Sequence, residues 1–181
     1  MKRLILLVLA VGLLAQCHHA DPGPTSPEDQ LPPATQTGAH TLGCLINDQP
    51  WTPSKIILTN TLVVTYDSGY LGGALQVKAK RYTGSNSSTL QALTFGAAHV
   101  DKVGTYSFPI NGDNGVFYTD TGINSCNEYG IPKTTTYQSG SLVITKFDLT
   151  QGIIAGTFNF KLAQLGCDTL RITQGRFDYT L

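Results

Sequence analysis

The side chains with covalent or acid-base chemistry to offer in this 181-residue chain are four cysteines (Cys17, Cys44, Cys126 and Cys167), four histidines and twelve acids. A thiol can be acylated, oxidised to a disulfide or bound to a metal, and spacing and surroundings decide among the three. Zinc needs histidines and cysteines clustered within a few residues. Cys44, Cys126 and Cys167 stand at least 41 residues apart, and His18 and His19 lie near the N-terminus, so no metal site is spelled out. A serine hydrolase needs a nucleophile beside a base, yet the only histidine well inside the folded part is His99, and no Gly-x-Ser-x-Gly elbow occurs. His99, followed by Val100 and Asp101, reads as a solvated loop residue. Asn111, Asp113 and Asn114 carry oxygens that suit calcium, but without the spacing and closing Glu of a calcium loop they read as a turn. Glycoside cleavage needs two acids across a cleft; Asp67, Asp101, Asp120, Glu128, Asp148, Asp168 and Asp178 are all eligible and none is distinguished. Asn86-Ser87-Ser88 matches a glycosylation sequon and reads as a polar hairpin tip. No catalytic residue and no cofactor is designated.

Cys17 differs from the other cysteines because of what precedes it. Met1, Lys2 and Arg3 open the chain, and Leu4 to Leu14 follow as an apolar run, too short for a membrane-spanning helix of ~20 residues and right for an export signal. Leu14-Ala15-Gln16-Cys17 resembles a lipobox, where cleavage before the cysteine is coupled to acylation of its sulfur and amine; Gln16 stands where Gly, Ala or Ser is usual. The alternative is an ordinary signal cut after Ala20, which leaves no lipid. Residues 1–16 are thus expected to be a lipoprotein signal peptide, with lipidation at Cys17. Residues 17–41 hold Pro22, Pro24, Pro27, Pro32 and Pro33 and no aromatic, the composition of a disordered tether. The domain proper is expected over 42–181, ~140 residues, enough for one hydrophobic core. Three acyl chains would hold such a protein firmly on a membrane.

What must position any site is a β fold. Twelve basic and twelve acidic residues give zero formal charge, and Lys78, Lys80 and Arg81 form the only tight basic cluster, so nucleic acid is not an expected partner. Period-two alternation and turn chemistry recur every 8 to 12 residues. Strands are expected at Leu42–Ile46, Gln49–Thr52, Ile56–Tyr66 (one or two), Leu75–Lys80, Leu90–Phe95, Thr105–Ile110, Val116–Asp120, Thr134–Gln138, Ser141–Phe147, Ile153–Leu162 and Leu170–Leu181, with Ser139-Gly140 among the turns. About ten antiparallel strands make a β-sandwich, or alternatively a closed barrel. Trp51 is expected to cover one end of the core. Gly104-Thr-Tyr-Ser-Phe108, Gly156-Thr-Phe-Asn-Phe160 and Gly175-Arg-Phe-Asp-Tyr179 each set two aromatics on one face behind a glycine. An aromatic ligand platform is the sharper interpretation, and a core with close crossings at the glycines is the preferred one.

With Cys17 acylated, three cysteines remain and at most one internal pair can form, with three pairings open. Cys44 sits in an alternating strand, whereas Cys126 and Cys167 sit in polar, loop-like stretches, so a Cys126–Cys167 disulfide is predicted. Counting strands up and down from Thr134 places the two at opposite ends of the sheet. The eight steps from Cys126 to Thr134 repair this, since they span up to ~26 Å against a strand of ~17–20 Å.

Leu31-Pro-Pro-Ala-Thr-Gln-Thr-Gly38, Gly43-Cys-Leu-Ile-Asn47 with Trp51-Thr-Pro53, Ser139-Gly140, Ile144-Thr-Lys-Phe-Asp148, Ile153-Ile-Ala-Gly-Thr-Phe-Asn-Phe160 and Ile172-Thr-Gln-Gly-Arg-Phe-Asp178 together resemble a family of uncharacterised lipoproteins from Bacteroidetes. The resemblance implies an all-β domain anchored in the cell envelope and supplies no catalytic residue. The expected function is that of a non-enzymatic, lipid-anchored protein of the bacterial outer membrane, facing periplasm or cell surface, with a ligand-binding or structural role. Its expected partners are the membrane, through the lipid, and an undefined glycan or protein ligand. The alternative is a secreted hydrolase acting on glycan or peptide.

Overall fold

The structure, a computed structural model, describes residues 26–54, 59–110, 112–130 and 135–181. The signal peptide, Cys17, Asn111, Thr134 and the beginning of the Ile56–Tyr66 stretch lie outside the described residues. Eleven strands follow in order: β1 (Thr41–Ile46), β2 (Gln49–Trp51), β3 (Leu62–Asp67), β4 (Ala74–Thr83), β5 (Thr89–Ala97), β6 (Gly104–Ser107), β7 (Gly115–Asp120), β8 (Glu128–Tyr129), β9 (Thr135–Asp148), β10 (Ile153–Gln164) and β11 (Leu170–Thr180). They form two antiparallel sheets, ordered β2-β1-β11-β10-β9-β6 and β3-β4-β5-β7-β8. The two pack as a sandwich and do not close into a barrel.

Local chemistry explains the hairpins. Asn47 and Asp48 both take positive φ (47° and 64°), the two-residue turn whose twist matches that of the flanking strands. Leu75, Val77 and Ala79 are buried between exposed Gln76, Lys78 and Lys80, so β4 has one dry and one wet face, and Gly84–Ser88 returns the chain to β5. Ser139-Gly140, expected as a turn, instead lies inside the 14-residue β9. Register with β10 runs unbroken from Gln138↔Leu162 to Leu142↔Phe158, and Gly140 lets the chain pass rather than turn. At φ +143° a Cβ there would sit 2.1 Å from the Asn159 carbonyl oxygen, so only glycine fits.

The core lies between the sheets. Phe95 of one sheet meets Phe158 and Phe160 of the other at centroid distances of 4.6 and 5.3 Å, and Phe108 packs on Phe160 at 4.8 Å. The aromatic pairs behind glycines are therefore core, not platform. The close crossing is visible at Gly175, where an added Cβ would lie 2.3 Å from the Phe158 ring. Gly104, by contrast, has open space around it.

Residues 26–41, expected to be disordered tether, are folded against the outer face of the first sheet. Ser26 and Asp29 cap a short 3-10 turn over Pro27–Gln30 through Ser26 N–H to Asp29 Oδ2 (2.8 Å). Leu31 is buried, and Pro32 packs so closely over Gly43 that a Cβ there would meet Pro32 Cδ at 2.5 Å. Asp178 then gathers the segment. Its Oδ2 accepts from Thr35 Oγ1 (2.7 Å) and from the N–H groups of Thr37 (2.9 Å) and Ala39 (3.2 Å), and its Oδ1 accepts from Gly38 N–H (2.8 Å). This strap covers β1 on its outer side, which is why five consecutive residues of β1 are buried without alternation.

Candidate functional site

The end of the sandwich that carries the Asn47-Asp48 turn is closed by a polar row rather than by hydrocarbon. The alternation that points Leu75, Val77 and Ala79 inward also points Arg81 inward, and register places Arg81 opposite Gln91 and Gln91 opposite Asp120. The basic cluster of the sequence is thus split: Lys78 and Lys80 are exposed, while Arg81 is half-buried. Arg81 Nε donates to Gln91 Oε1 (2.8 Å), Trp51 Nε1 donates to the same oxygen (3.1 Å), and Gln91 Nε2 donates to Asp120 Oδ2 (2.6 Å). Arg81 also donates to the Pro50 carbonyl (3.1 Å) and lies over the Trp51 ring at 5.6 Å. Trp51 covers this end of the core, as its sequence position suggests. Its polar neighbours are legible only once register is known.

Outside this row lies a cleft of about 450 Å³ between the sheets, walled by Tyr118 and Tyr129 on one side and Ile46 and Leu170 on the other. At its rim the Sγ atoms of Cys126 and Cys167 are 2.01 Å apart, a bonding distance, in the pairing that the sequence predicts. Cys126 follows β7 and Cys167 sits in the β10–β11 turn, so the bond ties one sheet to the other. Burial, with Asp120 next in weight, raises the Tyr118 hydroxyl above its ordinary pKa; burial and then Asp168 do the same to Tyr129. Both phenols are therefore neutral, and the Tyr129 hydroxyl donates a hydrogen bond to the Asp168 carbonyl oxygen (2.8 Å). Burial lowers Arg81, against the opposing pull of Tyr118, Cys44 and Asp120. Cys44 is fully buried and pushed up to about 12, with burial as the cause and Arg81 opposing it, so it is an inert thiol.

Of the seven eligible acids, Asp120 and Asp168 line the same cleft, one from the end of β7 and one from the β10–β11 turn. Asp120 accepts from Gln91 on one oxygen and from Gly122 N–H on the other (2.9 Å), an orienting role. Asp148 accepts from Gln151 N–H and Lys146, and Asp67 accepts from Gly69 N–H, both turn contacts. Asp178 holds the strap. Asp101, Glu128 and Asp168 are exposed, as is His99, which sits in the loop at the opposite end with φ +57°. Asn114, considered as a calcium ligand, bridges Ala98 N–H and the Ser107 carbonyl as a loop brace, and Asp113 is exposed. Among the described residues no three His, Cys, Asp or Glu side chains converge as a metal site, and no helix is long and apolar enough to cross a membrane. A larger concavity of about 560 Å³ lies beside His40, Tyr179, Ser54 and Thr59. No family model, curated protein or solved structure matches the chain.

Proposed function

We propose that this chain is an exported, lipid-anchored protein of the bacterial outer envelope whose β-sandwich is a non-enzymatic binding or structural module. The observation that carries the reading is the Cys126–Cys167 pair, held at bonding distance across the two sheets while Cys44 stays sealed in the core. Disulfides persist in oxidising compartments, and an exported bacterial protein folds in one. The basic, then apolar start ending at Cys17 supports export with acylation, as does the resemblance of both ends of the domain to Bacteroidetes lipoproteins. The non-enzymatic part rests on the inter-sheet network, in which Arg81, Gln91, Asp120 and Trp51 bond to one another, so that Asp120, which lines the cleft together with Asp168, is engaged as an orienting acceptor.

The test follows the lipid. Wild-type protein should partition into detergent and incorporate labelled fatty acid, while Cys17→Ala should be soluble and unlabelled. Equal solubility of the two would remove the lipoprotein reading. Turnover of a glycan or chromogenic ester, abolished by replacing one Asp or Glu, would replace the binding role with a hydrolytic one.

A further inference from the structure

We propose that the outer face of the six-stranded sheet, beside the strap, binds an acidic polysaccharide chain. The strap covers β1 and part of β11 and brings Glu28, paired with Arg176, beside Thr157 and Asn159, while the outward positions of β10 from Thr157 to Lys161 stay exposed and those of β9 from Ser139 to Val143 are partly exposed. Thr157, Asn159 and Lys161 are exposed, alternating with buried Phe158, Phe160 and Leu162. Register sets Lys161 opposite Arg171 on one side and Ser139 on the other, and Asn159 opposite Ser141. Tyr137 stands two residues before Ser139 on the same face, nearly half exposed, with Lys161 Nζ 5.7 Å from its ring centre. One face thus presents an exposed aromatic ring with Lys161 over one side of it, hydroxyl and amide groups, and two cations.

The cations are the unusual feature. Like charges directly opposite on an antiparallel pair are destabilising, and Lys161 and Arg171 are such a pair, both exposed. Among the described residues no carboxylate lies within ion-pair distance of either. The outward positions from Tyr137 to Val143 on β9, from Thr157 to Ala163 on β10, and Arg171 and Thr173 on β11 include no acid at all. An anionic partner relieves this repulsion. The remaining groups identify it as a sugar: Tyr137 offers a ring for stacking, and Asn159 Nδ2, 3.1 Å from Ser141 Oγ, belongs to a hydroxyl–amide ladder suited to sugar hydroxyls. Tyr137 to Ser141 spans roughly 13 Å of strand, an extended strip rather than a pocket.

This proposal rests on the reading of the domain as an exported binding module, and it can fail while fatty-acid labelling at Cys17 succeeds. The experiment titrates the full chain in detergent micelles with sodium polygalacturonate, neutral dextran and polyglutamate at low and near-physiological salt. Polygalacturonate should bind, weakening as salt rises, with dextran and polyglutamate at least tenfold weaker. Lys161→Ser with Arg171→Ser should cost tenfold or more. Tyr137→Ala should weaken polygalacturonate binding by about tenfold. All three positions are at the surface, so Tyr137→Ala should melt with the wild type, and the double variant, relieved of its like-charge pair, at or slightly above it. No polygalacturonate binding, an unaffected double variant, or polyglutamate bound as tightly with Tyr137→Ala silent would each overturn the proposal, the last in favour of an acidic polypeptide.

Discussion

The carboxylate of Asp178 and the backbone N–H of Gly38 are 140 residues apart in sequence and 2.8 Å apart in space. A single side chain near the C-terminus thereby clasps four residues of the N-terminal segment, Thr35, Thr37, Gly38 and Ala39.

Replacing Asp178 by alanine leaves the N–H groups of Thr37, Gly38 and Ala39 and the Thr35 hydroxyl without their acceptor. Bonds to a charged group are worth ~1.5–3 kcal/mol each and overlap at one carboxylate, so a loss of about 3 kcal/mol is expected in chemical denaturation. Limited proteolysis should cut within residues 32–40 of the variant and spare the wild type.

The same carboxylate makes the strap acid-sensitive. Burial alone would raise its pKa, but the bonds from Thr35, Thr37, Ala39 and Gly38 outweigh burial and hold it below the ordinary aspartate value. The stabilisation is complete above the unfolded value of ~3.9 and is lost as pH falls through the lower, folded one. The protection of Thr37 to Ala39 amides against hydrogen exchange, relative to the unfolded chain at the same pH, should therefore hold at pH 5 and fall only below about pH 4. In Asp178→Asn that dependence should be absent.

Cys44 and the Cys126–Cys167 pair should separate cleanly by reactivity. A thiol pushed up to about 12 carries almost no thiolate at pH 8, so native protein should not react with iodoacetamide until denaturant opens the core. Non-reducing peptide mapping should recover Cys126 joined to Cys167 and Cys44 free. Cys126→Ser with Cys167→Ser should cost up to ~4 kcal/mol in the chain-entropy account of a loop of about 40 residues.

Gly140→Ala tests the uninterrupted β9. A side chain at φ +143°, facing the Asn159 carbonyl, forces the ladder apart, and a loss of ~2 kcal/mol or more is expected. If Ser139-Gly140 were instead a hairpin turn with open space around it, the alanine would cost less than ~1 kcal/mol.

The Asn47-Asp48 and β4–β5 hairpins and the disulfide pair were legible because their causes are local: period-two burial, turn residues with positive φ, and cysteines in polar loops rather than in a strand. The strap was not. A proline-rich stretch without aromatics scores as tether on composition, and what orders it is an acceptor 140 residues away that local composition does not reveal. The polar row was hidden for a similar reason. Arg81 joins Lys78 and Lys80 as a charge cluster on the string, and only strand parity turns it inward toward Gln91 and Trp51. Lys161 and Arg171 likewise become neighbours through the β10–β11 register alone.

The strap also sets a path for mechanical load. Tension applied from the N-terminal side of Ser26 arrives first at Glu28, whose carboxylate meets Arg176 at 2.9 Å, and next at the Asp178 clasp, before it reaches β1. Both fasteners are on β11, a strand flanked by β1 and β10, so the pull enters the middle of the sheet instead of peeling an edge. A domain pulled from the N-terminal side of Ser26 would first yield fifteen residues of slack, from Ser26 to His40, with its sandwich still closed.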